Sequence, residues 1–151
     1  MVKKKTIETE ATAKKASPSK KKKYVYAVGR RKTATARVRL FYGKGETVVN
    51  GQPIEKYFLG KVAEVEYLRP FSATETAGKY YASIKVEGSG KNSQLGAVVH
   101  GLARALDKEN RDLYHTLLKK EKLLTRDYRA KERRKPGQMG KARKQKQSPK
   151  R

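Results

Sequence analysis

YVYAVGRRKTATARVRLFY, residues Tyr24–Tyr42, is the stretch on which the fold turns. Its opening is aromatic, β-branched or small, and its second half alternates strictly. Ala34, Ala36, Val38 and Leu40 fall on one side, Thr35, Arg37, Arg39 and Phe41 on the other. A period of two with one apolar side predicts strands that bury a single face. Between the two runs, Gly29-Arg30-Arg31-Lys32-Thr33 predicts a kink or bulge, where a glycine lets the backbone come close to a phosphate.

Downstream, the pattern continues as an α+β domain. Tyr42-Gly43-Lys44-Gly45-Glu46 reads as a turn, and Thr47-Val48-Val49-Asn50 as a short strand stopped by the Asn50-Gly51 turn signal. Pro53 suits the first position of a helical turn over PIEKYF. Residues 61–68 predict a second short helix that ends before Pro70. YYASIKVEG predicts a strand with Ala82, Ile84 and Val86 facing opposite to Tyr81, Ser83, Lys85 and Glu87. The clearest helix follows, capped by Asn92 or Ser93, with Leu95, Val98, Val99, Leu102 and Leu106 in one stripe. Arg104 lies opposite that stripe, with His100 beside it, which leaves Arg104 to water or a partner. Gly96 and Gly101 each cost this helix roughly 1 kcal/mol relative to Ala, and close backbone packing is one reason to tolerate them. A last helix is expected over Asp112–Lys122, capped by Asn110, with Leu113, Tyr114, Leu117 and Leu118 inward.

Charge divides the chain into three. Of 151 residues, 39 are Lys or Arg and 14 Asp or Glu, a net +25 that points to a polyanionic partner. Nine Lys and two Glu give the lead, residues 1–23, a charge of +7. Twelve cations and two acids give the tail, residues 126–151, +10, and the middle, residues 24–125, keeps +8. Neither end has the apolar content to offset the entropy of ordering it. The lead reads either as an RNA-binding arm or as a disordered solubilising extension. A transit peptide fits poorly, because the lead has no Arg and carries Glu8 and Glu10. With no apolar run of ~18 residues and no secretory h-region, a soluble, intracellular chain is expected.

Catalytic and cofactor chemistry is absent from the sequence pattern. There is no Cys. Gly88-Ser89-Gly90-Lys91-Asn92 lacks both the upstream Gly of a P-loop, where Lys85 stands, and the Ser or Thr after the Lys. Two residues before Ser89 stands Glu87, not the Gly that a nucleophile elbow needs. His100 and His115 have no carboxylate or thiol at ligand spacing, so no metal site is expected. Glu64 and Glu66 read as solvated surface. Neither an enzyme nor a cofactor is predicted.

The basic residues carry the functional reading. Tail cations at Arg126, Arg129, Lys131, Arg133, Arg134, Lys135, Lys141, Arg143, Lys144, Lys146, Lys150 and Arg151 run with no acid after Glu132. Such a segment repels itself and is neutralised along a nucleic-acid backbone, releasing counterions at each phosphate. Pro136, Gly137 and Gly140 interrupt helix and suit a chain threading a groove. Fully extended, the tail reaches at most about 85–95 Å.

Gly29-Arg30-Arg31-Lys32-Thr33-Ala34 followed by Ala36-Arg37-Val38 resembles the opening signature of the ninth small-subunit ribosomal protein family, bacterial type. Gly96-Ala97 with His100-Gly101-Leu102-Ala103-Arg104-Ala105-Leu106 resembles the family's main helix. Leu123-Leu124-Thr125-Arg126-Asp127 and Glu132-Arg133-Arg134-Lys135 resemble its exit into the tail, and Asn50-Gly51, Tyr57-Phe58 and Pro70 sit where the family has them. The likeness covers Tyr24 to Arg151. It implies a split βαβ domain with a left-handed crossover, like the second domain of another small-subunit ribosomal protein. It implies residence in the small ribosomal subunit of the cytoplasm, in bacteria or alternatively an organelle. There the family binds small-subunit rRNA in the head, beside neighbouring head proteins, and its tail meets P-site tRNA. Carried over, Lys150 and Arg151 contact the tRNA backbone, and Arg143 and Lys144 hold rRNA. The candidate rRNA ligands of the domain are Arg30, Arg31, Lys32, Arg37, Arg39 and Arg104. Those of the tail are Arg126, Arg129, Arg133, Arg134, Lys135, Lys141, Arg143, Lys144 and Lys146. Three departures stand out: Gly88-Ser89-Gly90 replaces three adjacent Gly, Ser148-Pro149-Lys150-Arg151 lacks the usual aromatic and inserts a proline, and the Lys-rich lead exceeds the usual bacterial form. The competing expectation is a free, non-specific RNA-binding or RNA-chaperone protein using the same charged ends.

Overall fold

The structure is a computed structural model, and it describes residues 23–146. The lead up to residue 22 and the tail end carrying Lys150 and Arg151 lie outside the described residues. In chain order come β1 (Val25–Arg31), β2 (Ala34–Tyr42), β3 (Val48–Val49), β4 (Gln52–Pro53), α1 (Ile54–Tyr57), α2 (Lys61–Ala73), β5 (Tyr80–Glu87), α3 (Lys91–Glu109) and α4 (Arg111–Lys120). The strands form one sheet in the order β1-β2-β5-β3-β4. All pairs are antiparallel except β3 with β5, which are parallel and adjacent in the sheet, the chain between them running through β4, α1 and α2.

The alternation in residues 34–42 becomes the core. Ala34, Ala36, Val38 and Leu40 are buried together with Ala82, Ile84 and Val86 of β5 and Val49 of β3. Over that face lies α3, whose Val98, Leu102 and Leu106 are buried as its stripe predicts, with Leu118 of α4 closing one side. The opposite sheet face is open.

Gly29 has a different purpose from the one its neighbours suggest. Arg31 pairs with Ala34, so Gly29-Arg30-Arg31 continues β1 and only Lys32-Thr33 form the turn, with Lys32 at φ 50°. There is no bulge. A Cβ on Gly29 would lie 1.9 Å from the Ala97 carbonyl oxygen and 2.3 Å from the Gly101 nitrogen. The glycine is there because α3 crosses β1 at backbone contact, and Gly101 is its counterpart on the helix.

Other boundaries shift for tertiary reasons. Helix α2 runs through Pro70 to Ala73 instead of stopping before it, because Tyr67, Pro70 and Phe71 are buried and their packing outweighs the lost backbone bond. Thr74 closes the helix, its hydroxyl donating to the Pro70 carbonyl at 2.9 Å. Helix α3 starts at Lys91 on Gly90, with no side-chain cap from Asn92 or Ser93. Ser89 adopts φ 52°, the left-handed conformation that a glycine takes at no steric cost. Asn110 caps α4 by accepting from the Leu113 N–H. Leu113 and Leu117 are 63% and 44% exposed, against expectation, because α4 lays only the Leu118 side on the core. Asn50 and Gly51 take positive φ as their turn signal requires. The Asn50 side chain also pairs with both the N–H (2.9 Å) and the carbonyl (3.0 Å) of Val86, standing in for a strand.

Candidate nucleic-acid interface

Strand β1 ends the sheet, so its outward backbone groups lack a strand partner. Three side chains of α3 supply one. The Arg30 N–H donates to His100 Nδ1 at 3.1 Å, Arg104 donates to the Val28 carbonyl at 2.5 Å, and Lys108 to the Tyr26 carbonyl at 3.4 Å. The spacing follows from geometry: four helical residues rise about 6 Å, and two strand residues about 6.8 Å. A covered edge is thereby also a charged one. Arg30, Arg104 and Arg126 come together with Val28, His100 and Leu124 around a depression of about 470 Å³. A second depression of about 500 Å³ follows beside it, lined by Tyr26, Arg104, Lys108 and Arg111 among others.

The tail leaves the domain at this place and is held there. His100 Nε2 lies 3.3 Å from the Leu124 carbonyl, so a neutral ring donates from Nε2 while Nδ1 accepts from Arg30. Burial lowers the His100 pKa, and the Arg104 charge lowers it further. The Arg30 N–H aimed at Nδ1 fits the unprotonated nitrogen only. One turn on, Arg31 reaches both the Asp127 carboxylate (2.5 Å) and its carbonyl (3.3 Å). Arg129 grips the same carboxylate through its side chain and its backbone N–H. Arg129, and then Arg31, hold the Asp127 carboxyl well below the usual carboxylate range.

Beyond Arg129 the chain has neither helix nor strand up to Lys146. It turns back on itself instead of running straight: Glu132 and Arg143 form a bidentate pair (2.5 and 2.9 Å), and the Lys135 N–H bonds the Lys141 carbonyl. Gly137 and Gly140, both at positive φ, allow the reversal. Arg133, Arg134, Lys135, Lys141, Lys144 and Lys146 are exposed, and among the described residues none is in an ion pair.

The predicted ligands thus fall into groups. Arg30, Arg104 and Arg126 converge. Lys32 stands at the exposed hairpin tip, and Arg37 and Arg39 project from the open sheet face. Arg31, half-buried, is engaged within the chain by Asp127. Lys108, Arg111 and Lys85 escaped sequence reading. Lys108 had a signal, since it follows His100 and Arg104 at the same four-residue spacing; Lys85 had none, because its placement beside Arg37 depends on strand pairing. Among the described residues no three His, Cys, Asp or Glu cluster as a metal site would need, and His115 is bonded to Asp107 at 2.7 Å. No described helix is long and apolar enough to cross a membrane.

Residues 29–151 match the family described as Ribosomal protein S9/S16. The chain belongs to that family. Relatives called small ribosomal subunit protein uS9 include that of Dehalococcoides mccartyi, 50% identical over 117 residues, which cover 78% of this chain and 88% of the relative. That of Rickettsia canadensis is 47% identical over 126 residues, 83% of this chain and 77% of the relative. That of Maridesulfovibrio salexigens is 45% identical over 119 residues, 79% of this chain and 91% of the relative. The S9 family is one of ribosomal structural proteins, not of enzymes. The family match starts at Gly29, the residue that α3 needs bare, and takes in the three α3 side chains of the edge clamp, the tail exit and the whole tail.

Proposed function

We propose that the chain is a structural constituent of the small ribosomal subunit that holds rRNA in the head and extends its tail to P-site tRNA. The observation that carries this is the convergence of Arg30, Arg104 and Arg126 at the point where a tail of +10 leaves the domain. The names of the bacterial relatives supply the setting. In this reading Arg30, Lys32, Arg104 and Arg126, joined by Lys108 and Arg111, lie on rRNA phosphates, and Arg37 and Arg39 reach RNA from the sheet. Arg31 acts through Asp127, by fixing where the tail starts. Arg129, Arg133, Arg134, Lys135, Lys141, Arg143, Lys144 and Lys146 follow the rRNA backbone, Arg143 exchanging Glu132 for phosphate. Lys150 and Arg151 meet tRNA. Phosphate contacts carry no sequence code, which suits a protein that must accept every tRNA. The lead, residues 1–23, remains a separate basic arm, residues 24–125 the domain and residues 126–151 the tail, and the crossover from β3 to β5 is left-handed.

Sucrose-gradient sedimentation tests assembly: the chain cosediments with small subunits at high salt, and loss at high salt would mark a free RNA-binding protein instead. Deleting Lys150 and Arg151 should leave assembly intact and weaken P-site tRNA retention; unchanged tRNA affinity removes the tRNA role.

A further inference from the structure

The open face of the sheet is built in cross-strand rows. Strand register sets Tyr26 beside Arg39 and Arg39 beside Ser83, and in the next row Val28 beside Arg37 and Arg37 beside Lys85. At one end the rings gather: Tyr24 lies 5.6 Å from Phe41, and Phe41 stacks on Tyr81 at 5.1 Å. Arg39 sits 5.4 Å from the centre of the Tyr24 ring. Helices cover only the other face, so Tyr24 and Tyr26 stay 47% and 43% exposed. Tyr24, Tyr26, Arg37, Arg39, Ser83 and Lys85 border a shallow depression of about 970 Å³.

We propose that this face binds unpaired RNA bases, stacked on Tyr24 and Tyr26, with their phosphates on Arg37, Arg39 and Lys85. The proposal rests on the RNA-binding reading above and adds to it a site for bases. Charge complementarity selects the occupant. Three cations face one carboxylate, Glu87, which lies 3.5 Å from both Arg37 and Lys85. The middle of the face, with Thr35, Ser83 and the cations, is too polar to seat an apolar protein surface. Aromatic rings next to cations are what a single strand requires: every base has a face to stack, and a guanidinium can stack as well as bind phosphate. A duplex hides its bases and offers this face its backbone alone. Glu87 opposes the same phosphates, so its removal strengthens binding.

The test uses the full-length chain with two fluorescent probes, a short oligouridylate and an abasic strand of equal length and charge. Replacing Tyr24 and Tyr26 together by Ala should lower oligouridylate affinity about tenfold or more and leave abasic affinity within twofold. Replacing both by Phe, which keeps the rings, should preserve oligouridylate affinity, and Glu87→Gln should tighten both probes. The proposal is overturned if the Ala pair weakens both probes equally, if it weakens neither, or if the Phe pair is as weak as the Ala pair. It is also overturned if, in small subunits carrying 4-thiouridine, the Tyr24–Tyr26 peptide crosslinks to a protein and not to RNA. Failure to cosediment with small subunits would remove the assembly reading, whereas base preference is read on the isolated chain and fails separately.

Discussion

Gly29→Ala is the substitution that tests the architecture most directly. The added methyl would lie 1.9 Å from the Ala97 oxygen and 2.3 Å from the Gly101 nitrogen. Ordinary contact needs more than about 3.2 Å, so α3 must retreat from β1 by on the order of 1–1.5 Å, since both obstacles are backbone and neither can rotate away. Overpacking of this kind costs roughly 1–3 kcal/mol, occasionally more. The retreat also strains the three bonds from His100, Arg104 and Lys108 to the β1 edge, each contributing about 0.5–3 kcal/mol depending on charge. The expected loss is about 3–5 kcal/mol, a large share of the ~5–15 kcal/mol typical of a domain. Gly96→Ala is the control. Its methyl meets only the Arg31 side chain, nearest at Cγ, 3.2 Å, and no backbone, and alanine adds up to ~1 kcal/mol of helix propensity, so the change should be near neutral or stabilising. Urea unfolding of the full chain, followed by circular dichroism, measures both. A Gly29→Ala protein within ~1 kcal/mol of the parent, or one more stable than Gly96→Ala, would refute the close crossing.

Further outcomes follow from the same geometry. Asn50→Ala should cost about 2–4 kcal/mol in urea unfolding, because it leaves the Val86 N–H and carbonyl unpaired and puts a Cβ without a local hydrogen bond at φ 50°; Asn50→Gly should recover only the backbone part. His100 has a folded-state pKa below its ordinary 6.5, so its neutral form supports the fold above that pH. That stability is lost as pH falls from about 6.5 through the lowered value, and thermal melts of His100→Gln, whose amide can both accept and donate, should lose that part of the pH dependence. Asp127→Ala should leave the global unfolding midpoint close to that of the parent, since the Arg31 pair is partly exposed, yet limited trypsin digestion at Arg126 and Arg129 should quicken as the tail exit loosens. Protection equal to the parent would mean that Asp127 does not hold the tail.

The S9 family setting explains why so much positive charge tolerates a small core. The domain carries only +8 of the net +25, and its predicted RNA ligands Arg30, Lys32, Arg37, Arg39 and Arg104 sit on the β1 edge, the hairpin tip and the open sheet face, away from the apolar layer under α3. Carboxylates mark the places where the chain holds its own cations: Asp127 with Arg31 and Arg129, Glu132 with Arg143, Glu87 with Arg37 and Lys85. The pairs of Asp127 and Glu132 fix the tail's exit and its reversal, those of Glu87 lie on the open sheet face, and each leaves an arginine or lysine beside a surface where phosphate would compete for it.

By itself the sequence determined what depends on short periods and local chemistry. The two-residue alternation of β2 and β5, the 3.6-residue stripe of α3, the Asn50-Gly51 turn, the Asn110 cap and the uneven charge are all properties of neighbours along the chain. The motif resemblance reached the S9 family for the same reason, since its signatures are local strings. Tertiary structure decided the rest. Gly29 beside three cations reads as a phosphate approach until α3 is placed against it. Pro70 reads as a stop until the burial of Tyr67 and Phe71 is known, and Leu117 as core until α4 is seen to lie at the rim. The pairing of α3 side chains with the β1 edge, and the meeting of Arg37 with Lys85, join residues dozens of positions apart. Such contacts are set by strand register and helix crossing, which no local period encodes.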